Sequence, residues 1–128
     1  MARIAVVDDS KLVRVFAEAA LKKAGHEVLL IDPESLHATM DALIEGKPDL
    51  MIIDHSMPAF QGPSLVRACF ERPDLSKVKV IILTALHDEA MTVRMQKLGV
   101  ACVLHKPILH EDLTLAVEQA LAAPPKAE

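Results

Sequence analysis

The stretch Leu50-Met51-Ile52-Ile53-Asp54-His55-Ser56-Met57-Pro58-Ala59-Phe60-Gln61-Gly62-Pro63 reads as an apolar run that delivers a carboxylate to a loop, followed by a helix start at Pro63. Four apolar side chains in a row, without polar alternation, fit a strand covered on both faces. Proline in a first helical turn forfeits nothing, because that amide has no partner inside the helix. Strand, acidic loop and helix make one βα unit.

The same pattern recurs outward in both directions. A first strand is predicted at about 3–7, and Ser10 caps a helix whose apolar stripe includes Leu12, Val13, Phe16, Ala20 and Ala24, ending at Gly25. A second strand follows at about 27–31, then a helix started by Asp32-Pro33 and stopped by Gly46-Lys47-Pro48. The third strand spans about 49–53, and the helix from Pro63 closes at Arg72-Pro73. A fourth strand at about 79–83 precedes a helix capped by Asp88 and ended by Gly99. The fifth strand, about 101–104, meets Lys106-Pro107, and a last helix covers about 110–122. Five βα units with short loops imply right-handed crossovers and a parallel sheet covered on both sides. The fold class is therefore α/β, a doubly wound five-stranded parallel sheet in a three-layer sandwich.

The 128 residues fit one domain at 1–122, with 123–128 as a proline-rich tail or linker stub. Hydrophobic residues make up 52% of the chain but only three are aromatic, so the core is built from small aliphatics and methionine. A net charge of −4 with interspersed signs offers no basic face for a phosphate backbone, which argues against direct nucleic-acid binding. Cys69 and Cys102 stand far apart in apolar contexts and read as two buried thiols in a reducing cytoplasm. No run approaches the roughly 20 apolar residues of a membrane span, and a strand pattern entered at once from the amino terminus predicts no signal peptide.

In open sheets of this kind, ligands sit beyond the carboxyl ends of the strands. The polar clusters of this chain fall on that rim: Asp8-Asp9, Asp54, Thr84 and His105-Lys106. The opposite rim carries ordinary turn residues. Three carboxylates brought close together repel, by about 4 kcal/mol per pair at 4 Å and an effective dielectric near 20. A hard divalent cation with oxygen ligands relieves this, and Mg²⁺ typically takes carboxylates, a carbonyl and waters. Asp8, Asp9, Asp54 and the backbone carbonyl of Ser56 are the predicted ligands, with no site for an organic cofactor. Asp54 then serves as a carboxylate nucleophile toward phosphorus, Lys106 neutralises phosphoryl charge, and the Thr84 hydroxyl hydrogen-bonds a phosphoryl oxygen.

These residues resemble the receiver domain of two-component response regulators, of the stand-alone chemotaxis-regulator type, over nearly the whole chain. The acidic pair matches Asp8 and Asp9; the phosphoacceptor motif matches Asp54, Met57, Pro58 and Gly62; the switch hydroxyl matches Thr84; the Lys-Pro pair matches Lys106-Pro107. The resemblance implies strand order 2-1-3-4-5, Asp9 as a direct Mg²⁺ ligand with Asp8 mostly through water, and a cis peptide before Pro107. It also implies phosphotransfer from a histidine kinase or histidine phosphotransfer protein, in a cytoplasmic monomer or weak dimer. The downstream partner would bind the face of the fourth helix, fifth strand and fifth helix.

One position departs from the family. Val103 stands where the family commonly has Tyr or Phe, so the ring that moves inward as the threonine engages is missing and the readout must differ. Alternation places Val103 and His105 on one face, opposite Leu104 and Lys106. His105 and His110 are candidates for pH-sensitive binding on the partner face, His55 and His87 for tuning water access to an acyl phosphate, and Met91 and Met95 for core filling.

Other functions meet obstacles. Phosphatases with an Asp nucleophile usually carry a second acid two residues later, where this chain has Ser56. Nucleotide and flavin binders need glycines in the first βα turn, and none of the four glycines lies there. A docking scaffold independent of phosphorylation stays open through Val103. The expectation is a phosphorelay switch without separate substrate turnover, capable of autodephosphorylation. The alternative organisation is a receiver within a larger response regulator or hybrid kinase.

Overall fold

The structure, a computed structural model, describes residues 2–124. Residues 125–128, most of the expected tail, lie outside the described residues. Ten elements alternate in the order β1 (Arg3–Val7), α1 (Lys11–Lys23), β2 (Glu27–Ile31), α2 (Leu36–Gly46), β3 (Leu50–Asp54), α3 (Gly62–Phe70), β4 (Lys79–Thr84), α4 (Glu89–Leu98), β5 (Cys102–His105) and α5 (His110–Ala122). The sheet is parallel throughout, in order β2-β1-β3-β4-β5, as the resemblance implies.

Alternating side chains divide the sheet between two cores. Ile4, Val6, Ile52, Ile81 and Leu83 pack with Ala17, Ala20 and Leu21 of α1 and with Leu113, Ala116, Val117 and Ala120 of α5. Ala5, Val7, Met51, Ile53, Val80 and Ile82 pack with residues of α2, α3 and α4, including Leu43, Leu65, Cys69, Met91 and Met95. Every residue of β3 is buried, and each aliphatic side chain so buried contributes roughly 1.5–3 kcal/mol. Val103 packs with the α2–α4 core and Leu104 with the α1/α5 core, which agrees with the alternation read from sequence.

Several boundaries differ from the expectation. The helix α2 begins at Leu36, not at Asp32-Pro33, because the Ser35 hydroxyl accepts the Ala38 amide at 3.0 Å. The Asp32 carboxylate instead faces Arg14 at 3.9 Å, and the Asp32 carbonyl accepts the Glu34 amide. At the far end of α2, Gly46 is still helical and Lys47 takes the left-handed conformation, with φ 50°. The stripe of α1 is also shifted. Val13, Ala17, Ala20 and Leu21 face the core, whereas Leu12 is 81% exposed and Phe16 and Ala24 are on the surface. Alanines at the contact let α1 lie close to the sheet and α5, and a bulky residue one position away is turned about 100° out of the interface. Ser10 caps α1 and Asp88 caps α4, each accepting from the amide three residues on, and Gly99 ends α4 at φ 109°. Cys69 is buried as expected, but Cys102, on the edge strand, is only partly so.

Candidate functional site

The ladders of hydrogen bonds run slightly further than the sequence indicates. Asp54 and Thr84 are the last residues of β3 and β4, not the first of their loops, and Asp54 pairs with Leu83 in register. The His55 amide donates to the Leu83 carbonyl at 2.7 Å, and the Lys106 amide to the Thr84 carbonyl at 2.8 Å. Side chains at the rim therefore stand on paired backbone.

Alternation decides which face each one takes. Asp8 continues the row of Val6, and Asp54 the row of Ile52, both on the α1/α5 side. Lys106 continues the row of Leu104 on that same side, and its Nζ lies 3.1 Å from Asp8 Oδ2 and 3.3 Å from Asp54 Oδ1. Asp9, exposed at the loop, completes the group: one carboxylate oxygen from each of Asp8, Asp9 and Asp54 lies within 4.8 Å of the others. Three distant segments, the ends of β1, β3 and β5, thus converge.

The electrostatics follow from this crowding. Asp8 is fully buried; its Oδ1 accepts the Ser10 amide at 2.8 Å. Its Oδ2 receives no hydrogen bond of good geometry, only the Lys106 ammonium alongside. Asp54 is 5% exposed, and burial first, then the Asp8 charge, pushes its carboxyl from 3.8 up to about 6, against the opposing pull of Lys106 and the Ser56 amide. Burial disfavours the Lys106 ammonium, but its contacts with Asp8 and Asp54 outweigh that and raise its pKa. One cation holds two buried carboxylates and leaves the acidic side in excess. A buried carboxylate oxygen met only by the Lys106 ammonium, within reach of two further carboxylates, fits a divalent cation with hard oxygen ligands.

Thr84 stands apart from this group. It is buried, follows the row of Val80 and Ile82 on the α2–α4 side, and pairs in register with His105. Its Oγ1 accepts the Leu86 amide at 3.0 Å. Ser56 follows Asp54 closely, its amide 3.4 Å from Asp54 Oδ1, and a bridge between Ser56 and Gln61 folds the loop back. Gly62 is sterically required: the Gly62 amide donates to the His55 carbonyl at 2.8 Å, and a Cβ at Gly62 would collide with the Asp54 carbonyl oxygen. The Lys106–Pro107 peptide is cis, as the resemblance implies.

Two features escaped the sequence reading. Arg14 donates from a guanidinium nitrogen to the Asp8 carbonyl at 2.6 Å, bracing the acidic loop; nothing in the sequence separates Arg14 from the exposed Lys11 except its place on the helix. His87 stacks on His105 with ring centroids 4.5 Å apart and planes 9° from parallel, whereas the sequence had grouped His87 with His55. His55 instead contacts the Ser56 hydroxyl at 3.1 Å, and burial followed by the Arg94 charge lowers its pKa. Met91 and Met95 are core residues, as expected.

An apolar groove lies beside Lys106, lined by Leu12, Val13, Phe16, Ala85, Pro107 and Ile108. It accounts for the apolar residues that α1 leaves outside the core.

The response regulator receiver domain family matches residues 4–118. The chain is 31% identical to protein PilH of Pseudomonas aeruginosa over 122 residues, spanning 95% of this chain and 99% of that protein. It is 30% identical to a probable chemotaxis protein CheY of Rhizobium etli, spanning 94% and 93% of the two chains. Among solved structures, a putative response regulator from Chloroflexus aurantiacus superposes with a TM-score of 0.86 at 25% identity, covering 95% of this chain and 98% of that one.

Proposed function

The chain belongs to the family of response regulator receiver domains, and from that premise we propose that it accepts a phosphoryl group on Asp54 from a phosphohistidine. In the transfer, an Asp54 carboxylate oxygen attacks phosphorus, the P–O bond forms as the P–N bond breaks, and the electron pair leaves with the donor imidazole. The product is an acyl phosphate. The observation that carries this reading is the convergence of Asp8, Asp9, Asp54 and Lys106 within contact distance on one face of the strand ends.

Each residue then has a task. Asp54 is the nucleophile, and Lys106, already bridging Asp54 and Asp8, is placed to follow the charge onto the phosphoryl oxygens. Asp8, Asp9, Asp54 and the Ser56 carbonyl would hold Mg²⁺, which when bound supplies further neutralisation of phosphoryl charge. Thr84 offers a hydroxyl to the phosphoryl group once it reaches the acceptor side. The donor protein is a histidine kinase or histidine phosphotransfer protein. Output proceeds through the face of α4, β5 and α5 to another protein.

No helix among the described residues is long and apolar enough to cross a membrane. A cytoplasmic switch without separate substrate turnover fits this reading. A docking scaffold independent of phosphorylation draws on one observation, Val103 in place of a ring. Intact-mass measurement after incubation with acetyl phosphate and Mg²⁺ separates them. One added phosphoryl group is expected, absent in Asp54→Asn and in metal-free buffer. An unchanged mass favours the scaffold, and steady release of phosphate from small esters favours an enzyme.

A further inference from the structure

We infer that the stacked rings of His87 and His105 form a clasp that keeps the Thr84 hydroxyl on the far side of the sheet from Asp54 and opens when that hydroxyl engages a phosphoryl group; this rests on the phosphoacceptor reading of Asp54. Three observations converge on it. Asp54 lies in the row of Ile52, facing α1 and α5, whereas Thr84 lies in the row of Ile82, facing α2, α3 and α4. The Thr84 hydroxyl must therefore turn across the strand ends to meet a group on Asp54. It is also engaged where it stands, accepting the Leu86 amide at 3.0 Å.

Turning it either releases that amide or draws Leu86 after it, and His87 is the next residue. Between buried Thr84 and buried Met91, the side chains from Ala85 to Ala90 are all exposed, so no core packing anchors this loop. His87 spans to the strand end instead, stacking on His105 at 4.5 Å and 9°. His105 is the partner carried by the sheet, in register with Thr84 and followed by Lys106, whose amide is bonded to the Thr84 carbonyl. One pleat lower on the same face, Val103 carries neither ring nor hydroxyl. The two imidazoles supply the ring contact at this end of the sheet.

A contact present in one state and absent in the other biases the equilibrium by its own free energy. Removing it should favour the engaged state about two- to tenfold, the range for an aromatic pair. The test is titration of the Mg²⁺-loaded protein at pH 8 with beryllofluoride, a carboxylate-bound phosphoryl mimic, for wild type, His87→Ala, His105→Ala and the double variant His87→Phe/His105→Phe. We expect tighter binding by two- to tenfold in both alanine variants, affinity near wild type in the phenylalanine pair, and cooperative unfolding retained with only a small drop in melting temperature in the alanine variants, because the stack also stabilises the resting fold. In wild type the ring-proton resonances of both histidines should shift on addition of the mimic, as mutual ring-current shielding is lost. Equal or weaker binding by the alanine variants, a phenylalanine pair that behaves like alanine, or unmoved histidine resonances would each overturn the clasp. A wild-type protein that takes up no beryllofluoride would instead remove the phosphoacceptor reading beneath it.

Discussion

Replacing Asp54 by asparagine is expected to make the metal-free protein more stable while abolishing phosphorylation. The folded state holds the Asp54 carboxyl at about 6 instead of 3.8, through burial first and the neighbouring Asp8 charge second. At 1.36 kcal/mol per pH unit, that difference corresponds to roughly 3 kcal/mol of unfavourable charge at neutral pH. Solvent at the rim screens part of it, so about 1–3 kcal/mol is a reasonable range. The Lys106 contact at 3.3 Å is already included in the net value, because it opposes the rise without cancelling it.

The sign fixes the pH window. Between 3.8 and about 6, folded Asp54 binds a proton that the unfolded chain has released, so this group's contribution to stability falls as pH rises through that interval. Urea unfolding in EDTA at pH 7.5 should show Asp54→Asn ahead of wild type, and the gap should narrow at pH 4.5, where wild-type Asp54 is protonated. A variant equal to or less stable than wild type at pH 7.5, or a gap independent of pH, would refute the claim that Asp54 is held in an electrostatically unfavourable place.

Three further outcomes follow from the same site. Mg²⁺ at about 100 times its dissociation constant should stabilise wild type by roughly 2.7 kcal/mol, with the gain much reduced in Asp9→Asn, as read by calorimetry. Lys106→Met leaves the fully buried Asp8 without its cation; a loss of about 3–5 kcal/mol is expected in metal-free denaturant titrations, and Mg²⁺ should restore part of it. Gly62→Ala drives a methyl group into the Asp54 backbone, so a loss of about 1–3 kcal/mol is expected, together with slower labelling by acetyl phosphate in the mass assay.

The fold was largely legible because its signals are local. Apolar runs without alternation mark buried parallel strands, and Ser10, Asp88 and Gly99 mark helix ends by chemistry that needs only a few residues. The misplaced start of α2 shows the limit of such signals. Asp32-Pro33 and Ser35 both suit a helix start, and it is the Ser35 hydroxyl that accepts the Ala38 amide, while the Asp32 side chain faces Arg14 of the preceding helix, a neighbour that local sequence does not reveal. The stripe of α1 failed for a related reason. Hydrophobicity favoured Leu12 and Phe16, but the space beside α5 admits alanine, and the larger residues were left to line a groove.

Legibility at the site divides along the same boundary. The sequence identifies which residues reach the rim, because each follows a strand, and Asp8, Asp54 and Lys106 meet there as that reading requires. It does not reveal that Thr84 faces the other way, since its side depends on the register of β4 against β3 and β5, which pairs Leu83 with Asp54 and Thr84 with His105. That single step of register sets the Asp54 carboxylate and the Thr84 hydroxyl on opposite faces of the sheet. A receiver built with both on one side would have its hydroxyl committed before any phosphoryl group arrived. With the two on opposite sides, the phosphoacceptor function proposed above requires the β4–α4 loop to be displaced for engagement, and on that proposal the displacement is the signal presented to a partner at the α4–β5 face.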